Sequence, residues 1–313
     1  MGEVRIYYGE ALGRYGFGRG HPFGPDRLEA FYRELEKQGL AAKVFLAPPV
    51  AATKPEIARF HTPEYIERVE RQSETGEGYL DTGDTPAFRG MFEAASFVAG
   101  SMLDAVARAI DGSATRSFVP IAGLHHARRD SAAGFCVFND LGIAIETLRR
   151  VYGVKRIAYV DIDAHHGDGI YYEFEEDPEL FVVDLHEDGR FLYPGTGFAW
   201  ETGKGQARGT KLNIPLFPGA DDEVFRQAWG LAERFLSASR PEFILLQAGA
   251  DSLAGDPIAQ LRLSPASHAL AAERLCRIAE EFSKGRLVAA GGGGYDRRNL
   301  ALAWTAVVRA LLG

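Results

Sequence analysis

The sequence predicts an α/β protein: a parallel sheet of about eight strands with helices packed on both faces, and three observations lead there. Short runs that are apolar nearly throughout alternate with longer segments of helical periodicity along the 313 residues. Strands that read apolar throughout, instead of alternating, are those buried on both faces, as parallel strands under helical layers are. Finally, the later apolar runs each give way at once to polar side chains capable of chemistry. In open α/β sheets, ligands bind beyond the carboxyl ends of the strands.

Taken in order, the first expected strand is 4–8, followed by a helix over 26–38 that enters through Pro25-Asp26 and a strand over 42–46. A long helix over 91–111 leads to a strand at 117–122 and a helix at 140–151. Strands at 156–163, 180–185 and 211–215 come next, then a helix over 222–239 announced by Asp221-Asp222. The last units are a strand at 242–247, a helix over 265–283 behind Ser264-Pro265, a strand at 286–290 and a closing helix over 297–311. Asp, Ser and Pro at these helix starts supply N-caps or a preset first φ angle. With no internal repeat, low-complexity tract or Pro/Gly/Ser linker, residues 1–313 are expected to form a single domain.

The formal charge of −8 argues against a nucleic-acid partner, because phosphate recognition needs concentrated basic surface. Two cysteines cannot build a disulfide framework; Cys276, on an expected amphipathic helix, reads as a small buried thiol. The first residues lack the apolar core of a signal peptide, and no segment approaches the ~18–20 uninterrupted apolar residues of a membrane span. A cytoplasmic location without membrane partners is the resulting expectation.

The most informative stretch is Tyr159-Val160-Asp161-Ile162-Asp163-Ala164-His165-His166-Gly167-Asp168-Gly169. Residues two apart on a strand face one side, so Asp161, Asp163 and His165 are expected to converge at its carboxyl end. A carboxylate beside an imidazole suits zinc or a similar divalent ion, iron(II) included. Asp251 is the natural third ligand, and three ligands leave a position open for water and substrate.

His125-His126 follows the strand at 117–122 and reads as a further ligand source, a structural pair or an acid/base pair. An imidazole base needs a carboxylate behind it to fix its tautomer, and Asp161 and Asp168 are available. Gly291-Gly292-Gly293-Gly294-Tyr295 lacks the spacing of a phosphate loop. Its glycines allow close approach of backbone to a ligand and would let Tyr295 swing over the site, where a phenol can donate to a developing oxyanion. With His186 after 180–185, all five of these loops are expected to open on one crevice.

Together these residues resemble the zinc-dependent histone deacetylase superfamily, and within it the bacterial acetoin-utilisation and class II-like members. The likeness rests on motifs in order along the chain: Gly20-His21-Pro22-Phe23-Gly24-Pro25-Asp26-Arg27, His61-Thr62-Pro63-Glu64-Tyr65, Leu124-His125-His126-Ala127, Gly134-Phe135-Cys136-Val137-Phe138-Asn139-Asp140, the stretch through Gly169, Tyr193-Pro194-Gly195-Thr196-Gly197, and the segments around Asp251 and Tyr295. It implies the arginase/deacetylase fold and a deacetylase that hydrolyses the amide of an acyl-lysine or related acylated amine, releasing a short carboxylate such as acetate. Asp163, His165 and Asp251 then match the zinc ligands, His126 the general base, and His125 its neighbour. Asp161 and Asp168 match the orienting carboxylates, and Tyr295 the oxyanion donor. Asp84, Gly134, Phe135 and Gly293 fall at substrate-binding positions, and Arg27 at an internal acetate channel. A potassium or sodium ion is implied beside Asp161, Asp163, His165, Asp184 and Leu185.

Two departures stand out. Asp184 replaces the serine common in the family, so an extra carboxylate is expected to tighten or alter cation coordination. The loops at 27–61 and 84–125 are short, without the insertion of acetylpolyamine amidohydrolases, which favours a more open mouth. A small-molecule deacylase of that type is the alternative reading. An inactive acyl-lysine-binding module fits less well, because every ligand and the tyrosine are present.

Overall fold

The computed structural model describes residues 3–18 and 20–313. Its eight strands are β1 Val4–Tyr7, β2 Phe45–Ala47, β3 Arg116–Val119, β4 Ile157–Asp161, β5 Leu180–Glu187, β6 Lys211–Leu216, β7 Phe243–Gln247 and β8 Leu287–Ala290. They form one sheet in the order β2-β1-β3-β8-β7-β4-β5-β6. All pairings are parallel. The longer helices are α1 Arg27–Lys37, α2 Pro63–Thr75, α3 Met91–Asp111, α4 Asp140–Arg150, α5 Asp222–Ser239, α6 Pro265–Phe282 and α7 Arg297–Leu312.

The double-sided burial read from the sequence has a direct structural counterpart. Tyr159, Val182, Leu245 and Val288 point into one core with α2, α3 and α4. Their strand neighbours Ala158, Val183, Leu246 and Ala289 point into a second core with α5, α6 and α7. Register aligns the strand ends: Asp161 lies beside Gln247 and Asp184, and Gln247 beside Ala290. The loops that follow β4, β7 and β8 therefore start at one level. Trp304 of α7 ties two of them down, donating its indole N–H to the carbonyls of Ala248 and Gly291 at 3.1 and 3.0 Å.

Helix starts behave as their caps require. The Asp221 carboxylate accepts from the amides of Glu223 and Val224, and Ser264 Oγ from that of Ala266. Asp26 makes no cap; its carboxylate binds Arg297 instead. Helix α2 was not expected from the sequence, although its signals are there. Thr62 caps it, Pro63 opens it, and Tyr65, Ile66, Val69 and Ser73 line one buried face. The strand expected at 42–46 begins instead with a single turn at Ala41–Lys43 and pairs only over Phe45–Ala47, as befits an edge strand. β5 runs on to Glu187, which puts His186 inside the strand and not in a loop.

Candidate active site

The crevice lies where the loops after β3, β4, β7 and β8 meet. Asp163 and His165 follow β4, and Asp251 follows β7. One ligand atom from each lies within 4.8 Å of the others. His165 Nδ1 is 3.1 Å from Asp163 Oδ1 and 3.1 Å from Asp251 Oδ2. All three are buried, and one imidazole cannot neutralise both carboxylates. Burial, then the charge of Asp163, raises Asp251 to about 7. A cation at this point would reverse that penalty, so the donor set fits a divalent metal. The rest of each carboxylate is held by protein. Asp163 Oδ2 accepts from Gln247 Nε2 and the Gly293 amide, both at 2.8 Å, and Asp251 Oδ1 from the Ala164 amide at 2.9 Å. A Cβ at position 293 would overlap Asp251, so this close approach requires glycine.

Asp161 does not join the triad. Its Oδ2 meets His125 Nδ1 at 2.7 Å and accepts from the Tyr159 hydroxyl, and its Oδ1 accepts from the Asp163 amide. His126 Nδ1 meets Asp168 Oδ1 at 2.7 Å. Each histidine thus has a carboxylate at Nδ1, which holds the proton there and turns Nε2 toward the site. The two Nε2 atoms are 3.1 Å apart. Burial and the neighbouring His125 push His126 down to about 4. Burial opposes charge on His125 too, but Asp161 and Asp163 outweigh it and hold His125 up to about 10. Burial thus favours the neutral form of His126, while the neighbouring carboxylates favour the charged form of His125.

The pair is placed by the start of α4. Asp140 accepts from the amides of Gly123 and Leu124, while Asn139 Nδ2 donates to Ala127 O at 2.8 Å. The Asn139 amide donates in turn to His61 Nε2 at 2.9 Å.

A cavity of about 300 Å³ leads to these groups. Phe135, Tyr193, Leu192 and Ile258 make its apolar walls, Asp84 sits at its rim, and His126, His165 and Tyr295 close its floor beside Gly134. Beneath lies a chamber of about 20 Å³ bounded by His125, His126, Asp163, His165 and Tyr295, room for about one water. Burial, then Asp251 and Asp163, raises the Tyr295 phenol well above its ordinary value, so it is a neutral donor.

The glycine run that carries Tyr295 is wired, not free to swing. Arg27 donates Nε–H to Gly294 O at 3.0 Å and Nη2–H to Gly292 O. The Gly293 carbonyl accepts from the Ala250 amide at 3.0 Å, so both backbone polar groups of Gly293 are spent within the protein. Arg27 is wholly buried against the Phe23 ring, its Nη1 without a partner among the described residues, one layer behind the inner chamber.

Phe135 adopts a left-handed backbone, φ 69°, that a bulky residue rarely takes. Two distant side chains hold it. Thr85 Oγ1 accepts its amide at 3.0 Å, and the buried Tyr15 hydroxyl donates to its carbonyl at 2.7 Å while accepting the Val137 amide. Asp84 is raised to about 6, by burial and then by Asp81, with which it shares the Thr85 hydroxyl.

His186 departs from expectation. It is buried, with Nδ1 on Asp184 Oδ1 at 2.7 Å and Nε2 on Gly197 O at 2.9 Å. The β5 loop reaches the crevice through Leu192 and Tyr193 instead. Asp184 Oδ2 accepts from the Gly167 amide at 2.9 Å, so each oxygen of this carboxylate already has one protein partner. Leu185 packs its side chain into the second core. Tyr193, Ile258, Tyr15 and Thr85 had no role in the sequence reading. Tyr193 at least stands in a recognisable Tyr-Pro-Gly-Thr-Gly motif.

Fold and site together define a hydrolase of the deacetylase type. The histone deacetylase domain matches residues 21–311, and the chain belongs to the histone deacetylase family. It is 35% identical over 304 residues to the acetoin utilization protein AcuC of Bacillus subtilis, covering 95% of this chain and 78% of that protein. It is 33% identical over 312 residues to histone deacetylase clr6 of Schizosaccharomyces pombe, covering 97% and 75%. Identity to histone deacetylase RPD3 of Saccharomyces cerevisiae is 32% over 311 residues, covering 96% and 70%. The crystal structure of the HDA15 HD domain superposes with a TM-score of 0.91 at 29% identity, covering all of this chain and 90% of that one. The fold is the arginase/deacetylase fold.

Proposed function

We propose that the chain is a zinc-dependent deacetylase that hydrolyses the amide of an acyl-lysine or a related acylated amine and releases a short carboxylate such as acetate. The observation that carries the reading is one cavity ending on a buried Asp163–His165–Asp251 triad, with His126, backed by Asp168, and the Tyr295 phenol on the same floor. Zinc, or iron(II), held by the triad would polarise the amide carbonyl and acidify a water.

The chain's own groups do the rest. Phe135 and Tyr193 flank the slot that takes an alkyl chain, and Asp84 at the rim accepts from substrate N–H groups. His126 Nε2 takes the proton of the attacking water as the carbon–oxygen bond forms, while Asp168 stabilises the imidazolium. The Tyr295 hydroxyl donates to the oxygen on which charge develops. The carbon–nitrogen bond then breaks, and the proton held by the histidine pair passes to the departing amine. Arg27 supplies positive charge behind the inner chamber for the carboxylate product. A potassium or sodium ion beside Asp161, Asp163, His165, Asp184 and Leu185 would rest mainly on backbone oxygens, with the Asp184 carboxylate, hydrogen-bonded to His186 and Gly167, as added negative charge nearby.

Turnover measured side by side on acetyl-lysine peptides, longer acyl-lysines and acetylpolyamines tests the reading. Acetyl-lysine hydrolysis above the polyamine rate supports it. Hydrolysis of acetylpolyamines alone makes the chain a small-molecule deacylase, and binding of acyl-lysine without turnover makes it a reader.

A further inference from the structure

Tyr295 stands on neither strand nor helix: β8 ends at Ala290 and α7 begins at Arg297. Something other than regular structure must therefore fix where its phenol points. Its backbone is gripped on both sides. The carbonyl accepts from Arg297 Nη1 at 3.0 Å, and the amide donates to Asp256 Oδ2 at 2.8 Å. Asp256 belongs to the loop after β7, 39 residues away in sequence, and is only 7% exposed.

The second oxygen of that carboxylate is equally committed. Asp256 Oδ1 accepts the Ile258 amide at 3.1 Å, and Ile258 lines the same cavity as Tyr295. Pro257 between them has no N–H, so the carboxylate reaches Ile258 without a competing donor. The bond to Ile258 alone would be an ordinary aspartate turn. The bond to Tyr295 is different, because it spans two loops and makes one side chain set a cavity wall and the catalytic phenol relative to each other.

We propose that Asp256 is a positioning residue for Tyr295, fixing the phenol against the Ile258 wall through its two carboxylate oxygens. The inference rests on the reading of Tyr295 as the oxyanion donor. An aspartate suits the task because both partners are N–H donors, and an asparagine amide offers one acceptor and one donor.

The test is a double-mutant cycle on the metal-loaded full chain with an acetyl-lysine peptide. Asp256→Asn is expected to lower kcat by about 10–100-fold, the scale of a misplaced catalytic group, with KM and metal content nearly unchanged. In a Tyr295→Phe background the same substitution is expected to change kcat less than about 2-fold, because the hydroxyl it positions is gone. Asp256→Glu, which keeps both oxygens on a longer stem, should recover part of the loss. It replaces Asp256→Asn in both backgrounds if the asparagine variant does not fold. An equal fall in both backgrounds would overturn the inference and leave a structural role only. Full turnover in Tyr295→Phe alone would overturn the reading of Tyr295, and the inference with it.

Discussion

His61 offers a test of how the structure holds the catalytic histidines, and its sign is fixed by hydrogen bonding. Its Nδ1 faces the Arg129 carbonyl at 3.3 Å and must donate; its Nε2 accepts the Asn139 amide at 2.9 Å. Only the neutral Nδ1–H tautomer serves both, and a proton on Nε2 breaks the bond to Asn139. Burial, outweighing the pull of the Arg129 and Arg128 backbone, pushes His61 from 6.5 down to about 3. The folded-state pKa is depressed, so the stability that His61 contributes is present above 6.5 and is lost as pH falls toward about 3. One pKa unit corresponds to about 1.4 kcal/mol, so at pH 5 the loss amounts to about 2 kcal/mol. His61→Gln keeps an acceptor and a donor without a titrating group. Urea denaturation of both proteins at pH 7 and pH 5 measures the difference. The variant is expected to start lower at pH 7 but to fall less by pH 5, by about that amount. Identical losses in the two proteins would refute the reasoning. The effect reaches the site because Asn139, which His61 holds, in turn holds the main chain of Ala127 beside His126.

Three further outcomes follow from particular contacts. Tyr15→Phe strips the partner from Phe135 O and the Val137 amide, so it should cost about 1–3 kcal/mol in urea denaturation. It should also raise KM for acetyl-lysine more than it lowers kcat; an unchanged KM would mean the strained wall does not depend on Tyr15. Asp251→Ala should lose tightly bound metal in elemental analysis after dialysis, and one retained equivalent of zinc would remove Asp251 from the ligand set. Arg27→Lys keeps the charge but cannot reproduce the planar fork that serves Gly292 and Gly294, so a lower Tm is expected, whereas Arg27→Met, which removes the charge, should also weaken acetate inhibition. Acetate inhibition in Arg27→Met equal to that of the native chain would leave Arg27 a structural role alone.

Much of this was legible in the residues, for physical reasons. Parallel strands buried on both faces need unbroken apolar runs, and the strand ends must carry the polar groups. The sheet and the placement of Asp163, His165, Asp251, His125 and Tyr295 followed from that pattern. What escaped depends on tertiary contact. Whether His186 ends a strand or lies within it turns on two residues of pairing with β6, which no local pattern sets. Asp184 binds a partner two residues on and a backbone amide from another loop, contacts that no local pattern announces. Tyr15 lies 120 residues from the carbonyl it holds, so no spacing rule could find it. The glycine run suggested mobility because glycine permits it; Arg27, Asp163 and Asp256 remove that freedom. Helix α2 carries its signals in the local sequence, with Thr62 as cap, Pro63 in the first turn and an apolar face through Tyr65, Ile66 and Val69.

The most direct measurement is acetate release from an acetyl-lysine peptide by three proteins of verified metal content: the native chain, Tyr295→Phe and His126→Ala. Both variants leave the Asp163–His165–Asp251 triad untouched, so metal should be retained in each. Tyr295→Phe is expected to lower kcat by roughly 10²–10³-fold, the usual loss on removing an oxyanion donor, and His126→Ala to abolish turnover by removing the base. Near-native acetate release by metal-loaded Tyr295→Phe would contradict the account and reduce the family likeness to one of fold.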